Sequence, residues 1–193
     1  MKLDKNFNYI VSGLERSGTS MMMQVLNAVD VPVAFDDLRL PDENNPKGYF
    51  ELEGGKIINK LMNGTFPLQK YQGVFIKITA FGLLYLPYGK FKIIYMERNL
   101  EEIFDSMQKM SPVIDLNPEK TKESFMKLNE KVKHEIQKRP DVNVLFLNYN
   151  EIIFSPKKNM ERICGFLSIP KNYSKKMVNI IDHGLYRQRK KIR

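Results

Sequence analysis

A glycine-spaced loop directly after a short apolar run constrains the fold of this chain more than any other feature. Residues 8–12 (NYIVS) have the apolar character of a buried strand, and Gly13 and Gly18 follow in the spacing Gly-x-x-x-x-Gly. Apolar side chains then recur with helical spacing and predict a helix with one buried face: Met22, Val25, Leu26 and Val29. This order of strand, loop and helix predicts that the backbone N–H groups of residues 16–20 surround an anion at the helix N-terminus.

The side chains of the loop indicate which kind of anion it binds. Thr19 occupies the position where nucleotide triphosphatases carry the lysine that reaches the β- and γ-phosphates. The cation of this loop is Arg16 instead, while Thr19 and Ser20 add hydroxyl donors. Transfer of a γ-phosphoryl group would therefore lack a main electrostatic support. A less highly charged group such as sulfuryl, transferred without a divalent ion, fits the loop better.

Short apolar runs alternate with helical patterns along the rest of the chain. Residues 74–78 (VFIKI) and 92–96 (KIIYM) are predicted to be buried strands, and residues 142–147 (VNVLFL) are predicted to be a further strand. The alternation predicts an α/β chain with a three-layer, P-loop NTPase-like fold, in which a central parallel sheet of about four to five strands is flanked by helices. We expect a single domain over residues 1–193, because no linker interrupts the pattern. Residues 30–48, rich in Asp, Asn and Pro, are predicted to form a functional loop.

A second anion-binding position is predicted after the third strand. Arg98 follows the run KIIYM, and Ser106 lies eight residues later on the next predicted helix. Because open α/β sheets bind ligands at the carboxyl ends of their strands, Arg98 is placed where an anion would bind. An isolated Arg and Ser would be interpreted as ordinary surface residues. We interpret Arg98 and Ser106 as a second binding position because the predicted anion-binding loop at residues 13–20, called the phosphate loop below, is expected to lie nearby.

Composition limits the class of protein more than it identifies a partner. The net charge of +9 favours an anionic partner over a cationic one. Cys164 is the only cysteine, so the chain has neither an internal disulfide nor a cysteine cluster for zinc. We find no signal peptide, and charged residues interrupt the most apolar region, so no transmembrane segment is expected. A cytoplasmic protein is the resulting expectation.

Together these segments resemble the sulfotransferases that use 3′-phosphoadenosine 5′-phosphosulfate (PAPS), particularly the bacterial-type branch. Residues 13–20 (GLERSGTS) are similar to the 5′-phosphosulfate loop of that family, and Arg98 with Ser106 is similar to its 3′-phosphate motif. Residues 45–51 (NPKGYFE) and 148–170 resemble further family segments. The chain departs from the family at Glu15, where many relatives have proline.

The resemblance implies an enzyme that transfers a sulfuryl group from PAPS to a hydroxyl or amine and releases adenosine 3′,5′-bisphosphate without a metal. The residues that it implies for nucleotide binding are Arg16, Ser17, Gly18, Thr19, Ser20, Arg98 and Ser106. The candidate catalytic residues are Glu51 as general base, Arg16 as the charge at the leaving phosphate and Lys77 as a cation at the bridging oxygen.

The general base is the least constrained of these assignments. Glu51 follows the long loop and is the main candidate, and its alternatives are Asp36, Asp37 and Glu43. The two histidines lie elsewhere, His134 on a predicted solvated helix and His183 near the C-terminus.

The acceptor and two other classes of function stay open on the sequence alone. The acceptor is a small molecule, a glycan or a lipid, and no nucleic-acid-binding motif is present. The basic tail, with Arg187 and Arg189, either reaches the nucleotide or is a solvated end. A P-loop nucleotide or small-molecule kinase and a non-catalytic nucleotide-binding protein are the alternatives.

Overall fold

The fold is built on a four-stranded parallel sheet. The computed structural model describes residues 1–110 and 115–182, and the strand order within them is β2-β1-β3-β4. The bounds of the strands are β1 Asn8–Gly13, β2 Phe75–Lys77, β3 Phe91–Glu97 and β4 Val142–Asn148. All four strands are at the positions that the apolar runs predict, their three pairings are parallel, and the α/β class with a parallel sheet flanked by helices is confirmed.

Helices connect the strands and cover both faces of the sheet. Their bounds are α1 Thr19–Asn27, α2 Ile57–Met62, α3 Leu100–Met110, α4 Pro118–Lys138, α5 Tyr149–Phe154, α6 Pro156–Leu167 and α7 Tyr173–Ile180. Three short 3₁₀ turns lie at Glu53–Gly55, Leu68–Tyr71 and Ala80–Tyr85. Residues at the N-terminus of a helix explain why it begins there. In α4, the Asn117 side chain accepts a hydrogen bond from the backbone N–H of Lys120, and Pro118 takes the first helical position.

Strands β1, β2 and β3 are buried on both faces because their side chains pack into two separate hydrophobic cores, whereas the edge strand β4 is mostly half-buried. Along β3, Ile94 packs into the core shared with α1, α6 and α7, whereas Ile93 and Tyr95 pack into the core shared with α2 and α4. Side chains of a strand alternate between the two faces of a sheet, so an uninterrupted apolar run is what a central parallel strand requires. The result is a helix–sheet–helix sandwich of three layers.

The order of the strands brings three loops to one edge of the sheet. The connection after β1 runs to β2 on one side and the connection after β3 runs to β4 on the other, so the connections diverge between the carboxyl ends of β1 and β3. The register pairs Gly13 with Met96 and Val11 with Lys77. The glycine loop, the end of β3 and the end of β2 therefore lie together at the switch point where open α/β sheets bind ligands.

Residues 28–52 form the long loop that the sequence predicts, since they contain isolated bridges but no helix or strand. Among the helices of the described segments, none combines the length and apolar character that a membrane-spanning helix requires.

Gly13 lies where β1 packs closely against β3 and the phosphate loop. Its φ is +149°, and a Cβ there would stand 2.4 Å from both the Met96 carbonyl oxygen and Ser17 Oγ. We predict that Gly13→Ala lowers the free energy of unfolding by about 1–3 kcal/mol, the usual cost of forcing atoms into a packed site. Urea denaturation followed by circular dichroism measures this change.

Gly165→Ala is the matched control for that substitution. Gly165 is exposed in α6, and a Cβ there would meet no atom within 4 Å. Alanine should stabilise this helical position by about 0.5–1 kcal/mol. A Gly13→Ala protein as stable as the control would contradict the close approach of β1 to β3.

Candidate active site

The loop between β1 and α1 presents a helix N-terminus without a side-chain cap. Gly18 is the N-cap residue of α1 with φ 101°, and no side chain accepts a hydrogen bond from the first turn. A Cβ on Gly18 would stand 2.4 Å from the Tyr149 ring, so this position has room only for glycine. The open N–H groups and the positive end of the helix dipole make this turn suited to an anion.

Arg98 fixes the conformation of that loop from the end of β3. Its Nη1 donates to the Arg16 carbonyl oxygen at 3.1 Å, and its Nε donates to Glu102 Oε2 at 3.0 Å. The guanidinium also lies over the Tyr149 ring, 4.5 Å from its centroid. The Arg98 side chain is 8% exposed and the Glu102 side chain 2%, so this is a buried ion pair at the floor of the site.

Glu102 joins a third element to the same cluster. Its Oε1 accepts from Asn150 Nδ2 at 3.1 Å, and Asn150 lies at the start of α5, just after β4. The carboxylate therefore connects the ends of β3 and β4 through two charge-assisted hydrogen bonds.

The two predicted anion-binding positions are directly connected. Arg16, at φ 65° in the loop, donates from Nε to Ser106 Oγ on α3 at 2.9 Å. Burial lowers the pKa of Arg16, and the neighbouring guanidiniums of Arg98 and Arg39 act in the same direction. Two arginines held close together in a partly buried site favour an anion between them.

Lys77 and Glu51 form a second cluster on the other side of the loop. The Lys77 ammonium donates to Glu51 Oε1 at 2.7 Å, to the Tyr49 carbonyl oxygen at 2.6 Å and to Ser20 Oγ at 3.2 Å. Burial lowers the pKa of Lys77, and the ion pair with Glu51 opposes that effect. The lysine thus connects β2, the first turn of α1 and the long loop.

Arg39 completes this cluster from within the long loop. Its Nη1 lies 3.1 Å from Glu51 Oε2, and its guanidinium stacks 3.5 Å above the centre of the Tyr49 ring. The Tyr49 hydroxyl in turn donates to the Asp42 carboxylate at 2.8 Å. Both oxygens of Glu51 are therefore held by cations.

A single cavity of about 320 Å³ collects most of the residues that the sequence analysis named. Those that line it are Arg16, Gly18, Thr19, Ser20, Glu51, Lys77, Arg98 and Ser106. Ser17 is the exception, because its side chain is buried below the loop beside Gly13, and its hydroxyl has no hydrogen-bond partner among the described residues. Glu15 is exposed and lines the cavity.

The other candidates for a base lie away from this cavity. In the part of the chain that the structure describes, its lining does not include Asp36, Asp37 or Glu43. Asp36 accepts instead from the backbone N–H groups of Leu38 and Glu53 within its own loop. His134 is exposed on α4, and the tail residues His183, Arg187 and Arg189 lie outside the described residues.

Among the lining residues that sequence reasoning missed, three have a charged or aromatic side chain: Arg39, Lys109 and Tyr149. A signal existed for two of them. Arg39 is a lone cation in the acidic stretch DDLRLPDE, and Tyr149 is the first residue after a buried strand, at the edge of the sheet where ligands bind. Lys109 lies on α3 and has no distinguishing pattern. Over residues 1–110 and 115–182, no three His, Cys, Asp or Glu side chains are grouped as a metal site requires.

Comparison with known proteins gives a family for this fold and cavity. The chain matches the sulfotransferase domain family over residues 8–193. No curated protein sequence matched it.

Several solved structures have a similar fold at low identity. The sulfotransferase domain of the olefin synthase from Synechococcus PCC 7002 is 16% identical with a TM-score of 0.59, over 96% of this chain and 80% of that one. Mouse sulfotransferase SULT7A1 complexed with PAP is 16% identical with a TM-score of 0.53, over 93% of this chain and 66% of that one. The sulfotransferase domain from the curacin biosynthetic pathway is 14% identical with a TM-score of 0.53, over 94% and 79% of the two chains.

The buried Arg98–Glu102 pair makes a prediction about stability. Glu102→Gln removes the charge that compensates a buried guanidinium, so we expect it to lower the free energy of unfolding by about 3 kcal/mol. Chemical denaturation measures the loss.

Glu97→Gln is the matched control, because the Glu97–Lys133 ion pair is about one-third exposed on both sides. Its loss should cost less than about 1 kcal/mol. Equal effects of the two substitutions would show that the Arg98–Glu102 pair contributes no more than a surface ion pair.

Proposed function

Because the chain belongs to the sulfotransferase domain family, we propose that it transfers a sulfuryl group from PAPS to a hydroxyl or amine of an acceptor. The observation that carries this proposal is the convergence of two clusters in one cavity. One cluster joins the phosphate loop to Arg98 and Ser106, and the other joins it to Lys77 and Glu51. An anion site next to a positioned carboxylate suits the transfer of an anionic group to a protic acceptor.

The phosphate loop and its neighbours would hold the donor. The open first turn of α1, with the hydroxyls of Thr19 and Ser20, suits the 5′-phosphosulfate. Arg98 and Ser106, beside Arg16, suit the 3′-phosphate. Arginine is the fitting residue there, since its planar fork of donors matches a phosphate.

The reaction that we propose is an in-line displacement. PAPS supplies the sulfuryl group, whose bond to the 5′-phosphate oxygen breaks as a bond to the acceptor oxygen or nitrogen forms, leaving adenosine 3′,5′-bisphosphate. The mouse structural neighbour was solved with PAP, which is this bisphosphate. Arg16 and Lys77 would stabilise the negative charge that develops on the departing phosphate.

Glu51 is the proposed acceptor of the proton that the nucleophile loses. It lines the cavity, its side chain is 12% exposed, and its two neighbouring cations keep it in one position. A carboxylate fixed within reach of the nucleophile removes the proton as the new bond forms.

The long loop beside the cavity is acidic, although the chain as a whole is basic. Residues 36–53 contain six carboxylates and two cations, whereas the whole chain carries +9. Of these carboxylates only Glu51 lines the cavity, and it pairs there with Lys77 and Arg39. We therefore propose a small molecule, a glycan or a lipid as the acceptor, with no charge requirement from this loop.

The first test of this proposal is nucleotide binding without a metal. In EDTA, calorimetry should detect binding of adenosine 3′,5′-bisphosphate and much weaker binding of ATP. Arg98→Ala should weaken the bisphosphate by about 1.5–3 kcal/mol, the range for hydrogen bonds to charged groups. Arg98→Lys should recover only part of this loss, because lysine offers no fork of donors.

The opposite pattern of binding would reject the proposal. A Mg²⁺-dependent preference for ATP would identify a kinase. An unchanged bisphosphate affinity in both Arg98 variants would remove Arg98 from the nucleotide site.

The second test is the proton acceptor. Labelled PAPS and a panel of neutral alcohols, phenols and amines identify a reacting acceptor, and Glu51→Gln should then reduce kcat by at least about 100-fold, the lower range for general-base catalysis. The affinity for adenosine 3′,5′-bisphosphate should change little, since Glu51 belongs to the other cluster.

Glu53→Gln is the control for that experiment. Glu53 lies two residues away, pairs with Lys60 and does not line the cavity, so its substitution should leave kcat unchanged. Turnover near the wild-type rate in Glu51→Gln would end the assignment of Glu51 as base.

A further inference from the structure

The hydrogen bonds of Lys77 raise a problem for the proposed reaction. An ammonium group has three N–H donors. In this structure Glu51, the Tyr49 carbonyl oxygen and Ser20 accept from all three. Lys77 can therefore donate to the transferring group only if it gives up one of these partners.

Ser20 and Glu51 are the two partners that Lys77 can exchange for an anion, because Ser20 Oγ is the longest contact at 3.2 Å and a bound anion replaces the charge of Glu51. The Tyr49 carbonyl oxygen is a buried backbone group. Without Lys77, its remaining hydrogen-bond donor would be Ser20 Oγ, which lies 3.2 Å away. Ser20 itself lies in the first turn of α1, where PAPS is proposed to bind. Exchange of one carboxylate for another anionic oxygen keeps the ammonium compensated, whereas loss of the carbonyl contact does not.

Arg39 is placed to hold Glu51 through this exchange. It binds Oε2, whereas Lys77 binds Oε1, so the two cations do not compete for one oxygen. Its guanidinium is fixed on the other side by the Tyr49 ring at 3.5 Å, and the Tyr49 hydroxyl is fixed by Asp42. This stack resists rotation of Arg39.

We propose that Arg39 is a positioning residue that holds the Glu51 carboxylate in place when Lys77 turns to the transferring group. This inference rests on the proposed function, because it concerns the carboxylate assigned there as the base. The role belongs to a residue outside the phosphate loop. It gives a physical reason for a cation beside Glu51, on the side of the cavity where the acceptor is proposed to enter.

The charges that face Glu51 come from two elements. Lys77 approaches from β2, and Arg39 approaches from the long loop. Arg16 lies farther away in the phosphate loop and acts on the electrostatics of Lys77, and Asp42 stands behind the Tyr49 ring. Since Lys77 and Arg39 are the direct partners, removal of Arg39 leaves Glu51 with a single cation.

The test is kinetic and uses labelled PAPS with the panel alcohol or phenol that reacts fastest. Arg39→Gln should reduce kcat by about 10-fold or more, because a displaced catalytic group loses rate steeply. Arg39→Lys should restore most of the difference, since its ammonium group can also pair with the Glu51 carboxylate.

A double variant separates a positioning role from a structural one. In Glu51→Gln, Arg39 has no base to position, so the addition of Arg39→Gln should cause no further loss of kcat. The dissociation constant for adenosine 3′,5′-bisphosphate should change less than twofold. A residue that only supported the loop would lower kcat in both backgrounds.

Two further variants keep the experiment decisive. Arg39→Met preserves packing on the Tyr49 ring and is expected to give the same loss of kcat if Arg39→Gln does not fold. Lys60→Gln is the control, since Lys60 pairs with Glu53 in the same region outside the cavity, and it should leave kcat unchanged.

The outcomes separate this inference from the proposed function. An unchanged kcat in Arg39→Gln, or an equal further loss in the Glu51→Gln background, in a protein that turns over PAPS overturns the role of Arg39 alone. A wild-type protein that binds no bisphosphate overturns the proposed function, whatever the kinetics show.

Discussion

The site depends on a buried guanidinium that has to be compensated from several directions. The Arg98 side chain is only 8% exposed, so Glu102, the Arg16 carbonyl oxygen and the Tyr149 ring replace most of its hydration. Each of these partners belongs to a different segment of the chain. Compensating one charge therefore fixes the positions of the phosphate loop, α3 and the start of α5 relative to one another.

This constraint divides the cavity into a rigid half and an adaptable half. The half around Arg98 is held by buried charge-assisted hydrogen bonds. The half around Glu51 is held by Arg39, which is 38% exposed, and by Lys77. In the proposed reaction the rigid half would hold the nucleotide and the adaptable half would admit the acceptor.

Local patterns in the sequence predicted the fold well because each local signal agreed with the others. The run at β1, the glycine spacing and the stripe on α1 all require the same strand–loop–helix unit, and the structure contains it. The cavity could be predicted only as far as residues adjoin strand ends, as Arg98 does. Arg39 lies in a loop without periodicity, and its position depends on the Tyr49 ring and Glu51, contacts that no local pattern encodes.

The phosphate loop shows why spacing alone was an incomplete guide to its chemistry. Thr19 leaves the loop without the usual lysine, and Arg16 is the only cation that the loop sequence itself offers. The register of β2 on β1 pairs Val11 with Lys77 and brings a buried ammonium to within 3.2 Å of Ser20 Oγ. A cation thus reaches the first turn of α1 from a strand 57 residues away along the chain. Because Lys77 also binds Glu51, one side chain connects the positive charge at the phosphate loop with the carboxylate on the other side of the cavity.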